Sequence, residues 1–249
     1  LIHEIGAGQM GIDFLHGDPL GMADNVFYFK RTLREAALKH NMYATFMAKP
    51  MANEPGSAMH VHQSVLDASG QNLFSNPDGS PSKAFYHYIG GLQRYMPAAM
   101  ALAAPYVNSY RRIVRHTYAP VNVQWGVDNR TVGFRVPASR PADRRVENRV
   151  IGADANPYLA FAVTLACGYL GMTEQLEPTD ATGSSAQHLD FELPQGLPES
   201  LRMLRAEDKL VEVLGQRFID VYAAIKEQEH MEFMTVISPW EREHLLLHV

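Results

Sequence analysis

The segment from residue 111 to residue 149 limits what this chain can fold into, because it places many arginines in apolar, strand-like sequence. It holds nine arginines, no lysine and three acidic residues. Arginines on partly buried strands need anionic partners, since an unpaired buried charge is strongly destabilising. The sequence therefore predicts a sheet with anions lying against it. The nine are Arg111, Arg112, Arg115, Arg130, Arg135, Arg140, Arg144, Arg145 and Arg149.

The use of arginine alone points to specific recognition of anions. A guanidinium group is rigid and planar, and it binds phosphate or carboxylate through two parallel hydrogen bonds. Solvated surfaces, by contrast, usually mix lysine with arginine. We expect three or four of these arginines to form structural salt bridges and the others to bind an anionic small molecule.

A second segment, residues 56–64, carries two histidines two positions apart, His60 and His62. On a strand, residues two apart point to the same face. Both imidazoles would then face one space, which suits a metal ion, a phosphate or both. The alternative is a strand that carries two polar residues on its solvent face.

Carboxylates near these histidines extend the pattern. Arg145, Glu147 and Arg149 share a face if they lie on a strand, so Glu147 either neutralises its neighbours or is a metal ligand. With His60 and Glu4 the chain offers two carboxylates and an imidazole, and such mixed ligands suit Mg²⁺ or Mn²⁺. A metal together with arginines indicates the handling of nucleotide phosphates. The Gly-x-x-x-x-Gly-Lys-Ser/Thr loop is missing, which excludes a P-loop protein.

Composition excludes other classes. The 249 residues carry a net charge of −5, which argues against nucleic acid as a partner. The most apolar stretch, 157–172, is shorter than the roughly 18 residues of a membrane span, so no membrane partner is expected. The single cysteine, Cys167, allows no internal disulfide and suggests packing in the core of a cytoplasmic protein. The chain starts without Met in the middle of a strand-like pattern, and we expect it to be the C-terminal part of a longer protein.

Helical and strand-like patterns are mixed along the chain without a regular βαβ rhythm, which predicts an α+β fold. Residues 53–56 read as a turn, and residues 66–82 and 174–195 read as polar loops. The predicted helices are 22–40, 83–103, 157–172 and 206–229, the last with Val211, Leu214, Phe218, Val221 and Ile225 on one face. The predicted strands are 1–13 with a glycine-rich interruption, 43–51, 58–65, 121–125 and 131–136.

Six short motifs, in this order and over nearly the whole chain, resemble the glutamine synthetase family. The resemblance implies an antiparallel curved sheet, part of a glutamine-synthetase-type barrel, flanked by helices. Residues 1–249 would be the C-terminal portion of the catalytic domain, without the N-terminal β-domain and the first catalytic strands. It also implies a homo-oligomer, commonly a dodecamer. The motifs are His3-Glu4 before Gly8-Gln9, Gly56-Ser57-Ala58-Met59-His60-Val61-His62-Gln63-Ser64, Asn108-Ser109-Tyr110-Arg111-Arg112, Asn129-Arg130-Thr131, Arg144-Arg145-Val146-Glu147-Asn148-Arg149 and Asn156-Pro157-Tyr158-Leu159-Ala160.

The family reaction implied is phosphorylation of the γ-carboxylate of glutamate by ATP, followed by attack of an amine on the acyl phosphate. Two or more Mg²⁺ or Mn²⁺ ions per site are implied. Glu4 resembles a ligand of the first metal, and His60 and Glu147 resemble ligands of the second. His62 and Ser64 resemble contacts to ATP.

Five arginines take further roles by the same resemblance. Arg130 and Arg135 resemble the groups that bind the ATP phosphates, and Arg130 would stabilise the transferring phosphoryl group. Arg145 would support the nucleotide. Arg112 and Arg149 resemble the groups that hold the carboxylates of glutamate, and Arg112 and Arg130 are the implied catalytic residues.

Three departures from the family pattern bear on the substrate. Gly11 replaces a metal-binding glutamate, and Asp13 lies too far along the strand to be a clear substitute. Gly56, implied to contact the glutamate amino group through its backbone, follows Pro55 where ammonia-using enzymes carry Asn. Tyr118 stands where those enzymes carry a flap glutamate that helps to deprotonate ammonium.

The changes at Pro55 and Tyr118, with the residues around Trp240, resemble the γ-glutamylpolyamine synthetase branch. We therefore expect a ligase whose acceptor is a polyamine or another organic amine. The alternatives are a glutamine synthetase that uses ammonia, or a catalytically weak family member or fragment with a structural or regulatory role.

Overall fold

The computed structural model describes residues 1–115, 117–190 and 192–249 and combines short strands with longer helices. The strands are β1 (Ile2–His3), β2 (Met10–Gly11), β3 (Val61–Gln63), β4 (Trp125–Val127), β5 (Phe134–Val136) and β6 (Val146–Asn148). The helices are α1 (Pro19–Lys39), α2 (Lys83–Ala103), α3 (Val107–Tyr110), α4 (Pro157–Glu174), α5 (Leu197–Ala206), α6 (Asp208–Leu214), α7 (Gln216–Met234) and α8 (Pro239–Leu245), with a 3₁₀ turn at Pro141–Asp143.

Four of the strands form one sheet in the order β3-β6-β5-β4. β6 pairs antiparallel with both β3 and β5, whereas β4 and β5 are parallel. β1 and β2 form a separate antiparallel pair. The α+β class with flanking helices is confirmed, and the sheet differs from the expected antiparallel one in its single parallel pairing.

The four-stranded sheet has two faces of different character. On one face, register places His62 opposite Glu147 and Glu147 opposite Arg135. The residues of the other face, including Phe134, Val146 and Asn148, are buried against the helices. Alternation along a strand therefore separates the candidate site from the core.

Buried hydrogen bonds attach the core face to α2 and α4. The Tyr88 hydroxyl of α2 donates to Gln63 Oε1 at 2.5 Å. Thr164 of α4 donates to the same oxygen at 3.2 Å and accepts from Asn148 Nδ2 at 2.9 Å. Because these side chains alternate with His62 and Glu147, the network fixes the strands that carry the site.

The two central helices approach each other through glycine. A Cβ atom added at Gly91 of α2 would lie 2.2 Å from the Cys167 carbonyl oxygen, and one added at Gly171 of α4 would lie 2.2 Å from the His87 carbonyl oxygen. Only glycine permits this backbone approach. Cys167 itself is fully buried here, as expected.

Several expected elements are confirmed, and their caps explain their ends. α2 has the predicted bounds, with the Ser82 side chain accepting from the Phe85 amide. α4 starts after Asn156, whose side chain accepts from two backbone amides, and has Pro157 at its first position. The glycine-rich start of the chain forms the β1–β2 pair. Residues 121–125 and 131–136 give only the shorter strands β4 and β5.

The sequence predicts a strand at residues 43–51, and this prediction is wrong, because the structure has no strand there. Their backbone groups bond elsewhere: the Lys49 amide donates to Asn108 Oδ1, Asn108 Nδ2 donates to the Lys49 carbonyl, and the Ser57 amide donates to the Ala48 carbonyl. An amide side chain and a turn thus take the hydrogen bonds that a neighbouring strand would supply. The strand expected at 58–65 is reduced to β3 and a single bridge between Ala58 and Gly152.

The prediction of one long helix at 206–229 is also wrong, because the structure has two helices there, α6 and α7. Gly215 has a φ of +92°, a left-handed value that ends α6 and starts α7 after it. The break changes the phase of the apolar face. Ile219 and Ala223 are buried, whereas Val221 and Ile225 are more than half exposed.

α8 was not anticipated, although its start has a recognisable signature. The Ser238 side chain accepts from the Glu241 amide while the Glu241 carboxylate accepts from the Ser238 amide, which is a capping box. Among the helices of the described residues, none combines the length and the apolar character needed to cross a membrane.

Candidate active site

Glu147, at the centre of β6, is the hub of the open face of the sheet. Its carboxylate is almost fully buried and accepts from Arg135 Nη1 at 2.7 Å and from Arg149 Nη1 at 2.5 Å. Arg135 also donates to Asp128 at 2.8 Å. Two guanidinium groups therefore share one buried carboxylate, and Asp128 balances part of the excess positive charge.

The two histidines lie beside this carboxylate, as the two-residue spacing predicts. His60 Nδ1 lies 3.2 Å from Glu147 Oε1 and 3.5 Å from Arg149 Nη1. His62 faces Glu147 across the β3–β6 pairing, and its Nδ1 accepts from Arg145 Nε at 3.2 Å. The structure thus brings together six of the expected site residues: His60, His62, Arg135, Arg145, Glu147 and Arg149.

Burial and charge set the protonation of this cluster. Burial lowers the pKa of His60, and the positive charge of Arg149 lowers it further. Burial would raise the pKa of Glu147, but Arg149 and the hydrogen bond from Arg135 outweigh it, so this pKa is lowered. At neutral pH His60 is neutral and Glu147 ionised, the forms that a metal ligand requires.

Gly56 and Arg112 form a second, adjoining part of the site. Arg112 is buried and donates to the Val150 carbonyl. A Cβ atom at Gly56 would lie 2.5 Å from Arg112 Cγ and 2.6 Å from the Ala48 carbonyl oxygen, so only glycine fits against this side chain. Burial lowers the pKa of Arg112 to about 10, which leaves it charged at neutral pH.

Three arginines of the site each have one buried nitrogen that makes no hydrogen bond within the described residues. In the described part of the chain, the Nε atoms of Arg112, Arg135 and Arg149 are buried without a hydrogen-bond partner. An unsatisfied buried donor is costly, and such groups in native proteins usually serve a ligand or water. Within the same residues, three of the nine arginines form ion pairs, namely Arg135, Arg140 and Arg149, and two of these three belong to the candidate site.

The His60–Glu147 pair fits a hard divalent cation. Two cis ligands of an octahedral Mg²⁺ or Mn²⁺ lie about 3 Å apart, which agrees with the 3.2 Å between His60 Nδ1 and Glu147 Oε1. Within the described residues, no three or more His, Cys, Asp or Glu side chains are grouped to hold a metal. Glu4 is therefore not gathered into one ligand set with this pair.

Glu4 lies just after β1, next to Gly11 on β2. A Cβ atom at Gly11 would lie 2.3 Å from Glu4 Oε1, so the two positions share one small space. Gln9 attaches this hairpin to the rest of the site, since its Nε2 donates to the Gly56 carbonyl at 3.1 Å and to Ser57 Oγ at 3.0 Å. Burial lowers the pKa of His62, and the charge of Asp13, beyond β2, acts in the opposite direction without reversing the shift.

The remaining expected residues lie at the edge of the cluster. Ser64 is exposed after β3, and Arg130 is exposed in the turn that leads to β5, where its charge acts on Arg149 and Asp128. Tyr118 is 66% exposed. His116, in the same flap-like stretch, lies outside the described residues.

Two acidic residues near the arginines were not singled out from the sequence. Asp128 pairs with Arg135 and has a φ of +49°, and its place among the three acids of the arginine segment could have drawn attention to it. Asp154 accepts from Ser109 Oγ at 2.6 Å and influences the charge of Arg112, and burial raises its pKa. No sequence signal points to Asp154, because it lies in a loop far along the chain from Arg112.

Comparison with known proteins settles the family. Residues 1–245 match the family described as glutamine synthetase, catalytic domain. The chain belongs to the glutamine synthetase family. A solved structure titled as the ADP complex of GmaS matches with a TM-score of 0.83 and 31% identity, covering 92% of this chain and 55% of that one.

The curated relatives of this glutamine synthetase family member have names that differ in the nitrogen compound joined to glutamate. The chain is 39% identical to gamma-glutamylputrescine synthetase PuuA of Escherichia coli, over 98% of its length and 52% of that protein. It is 37% identical to a glutamine synthetase of Methanosarcina mazei, over 98% and 57%, and 36% identical to glutamate–isopropylamine ligase of a Pseudomonas species, over 96% and 53%. The chain thus spans about half the length of the curated relatives it matches.

Proposed function

We propose that the protein is an ATP-dependent glutamate–amine ligase that makes a γ-glutamyl amide by way of γ-glutamyl phosphate. The observation that carries the proposal is the cluster around Glu147, in which His60 and two guanidinium groups meet on one face of the sheet in a glutamine synthetase family chain. Such a cluster suits a reaction that joins a carboxylate and a phosphate.

The arginines divide between the two anionic substrates in this proposal. Arg130 and Arg135 bind the phosphates of ATP, and Arg112 and Arg149 hold the carboxylates of glutamate. The Nε atoms of Arg112, Arg135 and Arg149 are buried without a hydrogen-bond partner, so they would donate to a substrate only once a side-chain shift or a bridging water uncovers them. The Gly56 carbonyl, which already accepts from Gln9, keeps a second lone pair for the glutamate amino group.

The reaction has two steps. In the first, a γ-carboxylate oxygen of glutamate bonds to the γ-phosphorus of ATP, and ADP leaves with the electrons of the broken P–O bond. In the second, the amine nitrogen bonds to the acyl carbon, phosphate leaves, and the amine loses a proton. Arg130 offsets the charge on the transferring phosphoryl group.

His60 and Glu147 would hold a divalent cation, and Glu4 would hold a further one. Bound Mg²⁺ or Mn²⁺ neutralises phosphate charge in reactions of this kind. His62, Ser64 and Arg145 would support the nucleotide beside it.

An organic amine, such as a polyamine, is the favoured acceptor. Tyr118 replaces the acidic flap residue that the resemblance associates with ammonia, and this removes negative charge from the ammonium pocket. The similarity to the putrescine and isopropylamine ligases supports this choice. Ammonia is the second candidate, because the similarity to a glutamine synthetase is nearly as high.

The test is ATP- and glutamate-dependent phosphate release by the purified full-length protein with ammonia, putrescine, spermidine and isopropylamine. We expect an organic amine to give the highest kcat/KM. In a Tyr118→Glu variant the preference should move towards ammonia, whereas the uncharged Tyr118→Phe variant should keep the parent's order of substrates. Ammonia as the best substrate of the parent protein would rule out the organic-amine proposal, and no phosphate release with any amine would rule out the ligase.

A further inference from the structure

Gln9, in the loop that joins β1 to β2, closes that loop with its backbone and its side chain. Its carbonyl accepts from the Glu4 amide at 3.0 Å, and its amide donates to the Gly6 carbonyl at 3.0 Å. Its side-chain Oε1 accepts from the Gly6 amide at 3.1 Å. A Cβ atom at Gly6 would lie 2.9 Å from this oxygen, so the loop needs glycine at this position. The backbone of Glu4, a proposed metal ligand, is thus tied to Gln9.

The side-chain amide of Gln9 has one orientation that satisfies its partners. Nε2 donates to the Gly56 carbonyl at 3.1 Å and to Ser57 Oγ at 3.0 Å, which uses both of its N–H bonds. An amide turned by a half rotation would place its oxygen against the Gly56 carbonyl and its nitrogen against the Gly6 N–H. Both contacts would be repulsive, so the amide is a fixed link between the β1–β2 loop and residues 56–57.

The backbone around Gly56 is held by other groups on both sides. The Ser57 amide donates to the Ala48 carbonyl at 2.8 Å, and the Ser57 carbonyl accepts from the Ala153 amide at 3.1 Å. Gly56 itself packs against the side chain of Arg112. Among the described residues, Gln9 is the one hydrogen-bond donor to the Gly56 carbonyl. The direction of this carbonyl therefore depends on Gln9.

The Gly56 carbonyl is the group that receives the amino group of glutamate in the proposed reaction. A carbonyl oxygen has two lone pairs, and Gln9 occupies one of them. We propose that Gln9 is a positioning residue of the glutamate site. Its carboxamide aims the free lone pair of Gly56 at the α-amino group and connects this acceptor to the loop that carries Glu4. The inference rests on the proposed function, and it is tested by binding instead of turnover.

Two further bonds separate this role of Gln9 from the general attachment of the loop. The Ala7 amide donates to Glu54 Oε2 at 3.1 Å, which keeps the loop linked to the turn before Gly56 when the Gln9 side chain is changed. Ser57 Oγ takes the second N–H of Gln9, and removing it leaves the bond to Gly56 in place. A Ser57→Ala variant is therefore the matched control for Gln9→Met, which keeps the chain length and removes the amide.

Isothermal titration of the purified full-length protein with glutamate and with glutarate, in the presence of ADP and Mg²⁺, tests the proposal. Glutarate has both carboxylates and no amino group, so the ratio of the two dissociation constants reports the contact to that group. In Gln9→Met we expect weaker glutamate binding to narrow this ratio about tenfold, because the charge-assisted bond to the Gly56 carbonyl is no longer aligned. In Ser57→Ala the ratio should stay within about twofold of the parent's.

The possible outcomes separate this proposal from the ligase reaction. Both ligands are titrated on one preparation, so a smaller folded fraction lowers the stoichiometry and not the ratio. An unchanged ratio in Gln9→Met, or an equal narrowing in Ser57→Ala, overturns the role of Gln9, and phosphate release by the parent would still support the ligase. Glutarate binding as tight as that of glutamate in the parent also overturns the role of Gln9. No glutamate binding by the parent overturns this inference together with the proposed function.

Discussion

Glu147 holds two arginines that would otherwise be incompatible with a folded sheet. It is the one carboxylate within 4.0 Å of Arg149 among the described residues, and it shares Arg135 with Asp128. Removing one partner of a buried ion pair leaves an uncompensated charge, which costs far more than the pair contributes. Glu147 therefore has a structural role in addition to the one proposed in catalysis.

A Glu147→Gln variant should lower the free energy of unfolding by about 3 kcal/mol, because Arg149 loses its counter-ion inside the protein. Urea unfolding followed by circular dichroism measures this. The matched control is Asp143→Asn, which removes the exposed pair with Arg140 and should leave the midpoint nearly unchanged. Equal effects of the two changes would contradict this account of Glu147.

Lys30 is a buried cation with an unusual environment. Its Nζ donates to the carbonyls of Ala153 at 2.6 Å and Ala155 at 2.9 Å. Burial lowers its pKa to about 8, Asp154 acts in the opposite direction and Arg34 adds to the lowering. Between about pH 8 and 10.5 the unfolded chain holds a proton on Lys30 that the folded protein has released. Stability contributed through Lys30 should therefore rise with pH across this interval.

The comparison of the parent protein with Lys30→Met and Lys30→Arg isolates this effect. Neither replacement releases a proton in the interval, so the unfolding free energy of the parent should increase relative to both as pH rises from about 8 to 10.5. Urea unfolding at several pH values measures the two differences. Flat differences would mean that Lys30 keeps its ordinary pKa in the folded protein, and falling differences would mean that its pKa is raised; either result contradicts the expected lowering.

At the scale of elements, α2 and α4 pack closely against each other, and the sheet is attached to both helices by hydrogen bonds. An alanine at Gly91 would favour the helix by about 1 kcal/mol, but its Cβ would lie 2.2 Å from the backbone of α4. We expect the collision to prevail, with a net loss of about 2 kcal/mol in unfolding free energy by urea denaturation. Gly183→Ala, where no atom lies within 4 Å of the added Cβ, should change stability by less than about 0.5 kcal/mol. An unchanged free energy of unfolding in the Gly91→Ala variant would show that the helices can move apart without cost.

Elements with strong local signals could be predicted from the sequence. α2 and α4 have apolar sequence and a capping residue at the start. The predicted bounds of α2 match the structure, and those of α4 differ only at its C-terminal end. The failures depend on contacts distant in sequence. Residues 43–51 look like a strand, but Asn108, 59 residues from Lys49, takes their hydrogen bonds. The break at Gly215 was available in the sequence and was outweighed by an apolar pattern that continues through it.

In the candidate site, too, the features set by local sequence could be predicted and those set by distant contacts could not. Alternation predicted that His60 and His62 share a face and that Glu147 and Arg149 share a face, because period-2 geometry is local. The pairing of β3 with β6, which brings the two sets together, is a contact distant in sequence. The contact between Gly56 and Arg112 joins residues 56 positions apart, and only the family resemblance linked the two. Asp154 could not be anticipated, since its proximity to Ser109 depends on how the loop after β6 packs. The roles carried over from the family stay predictions.

At the scale of the whole molecule, the C-terminal region exposes many large apolar side chains. Val236, Ile237, Trp240, Leu246 and Leu247 are each at least 59% exposed. Clusters of this kind usually mark an interface between proteins. The homo-oligomer implied by the family resemblance would cover them.

We therefore expect the chain to associate in solution, with a mass above its 27.8 kDa in size-exclusion chromatography with light scattering. Replacing Ile237 and Trp240 by serine should shift the mass towards that of one chain. The control is serine at Tyr28 and Leu38, exposed on α1 far from this region in sequence. A single-chain mass at every concentration would contradict the expected oligomer.

The two faces of the four-stranded sheet have a consequence for how such a protein can change over generations. The side chains proposed to bind the substrates alternate along the same strands with Gln63 and Asn148, whose hydrogen bonds run to α2 and α4 and not to the open face. A substitution on the open face therefore leaves the hydrogen bonds to the helices in place, although a change at Glu147 removes the counter-ion of Arg149. Open-face residues that carry no such structural partner can change one at a time, while the hydrogen bonds of Gln63 and Asn148 keep the strands in register.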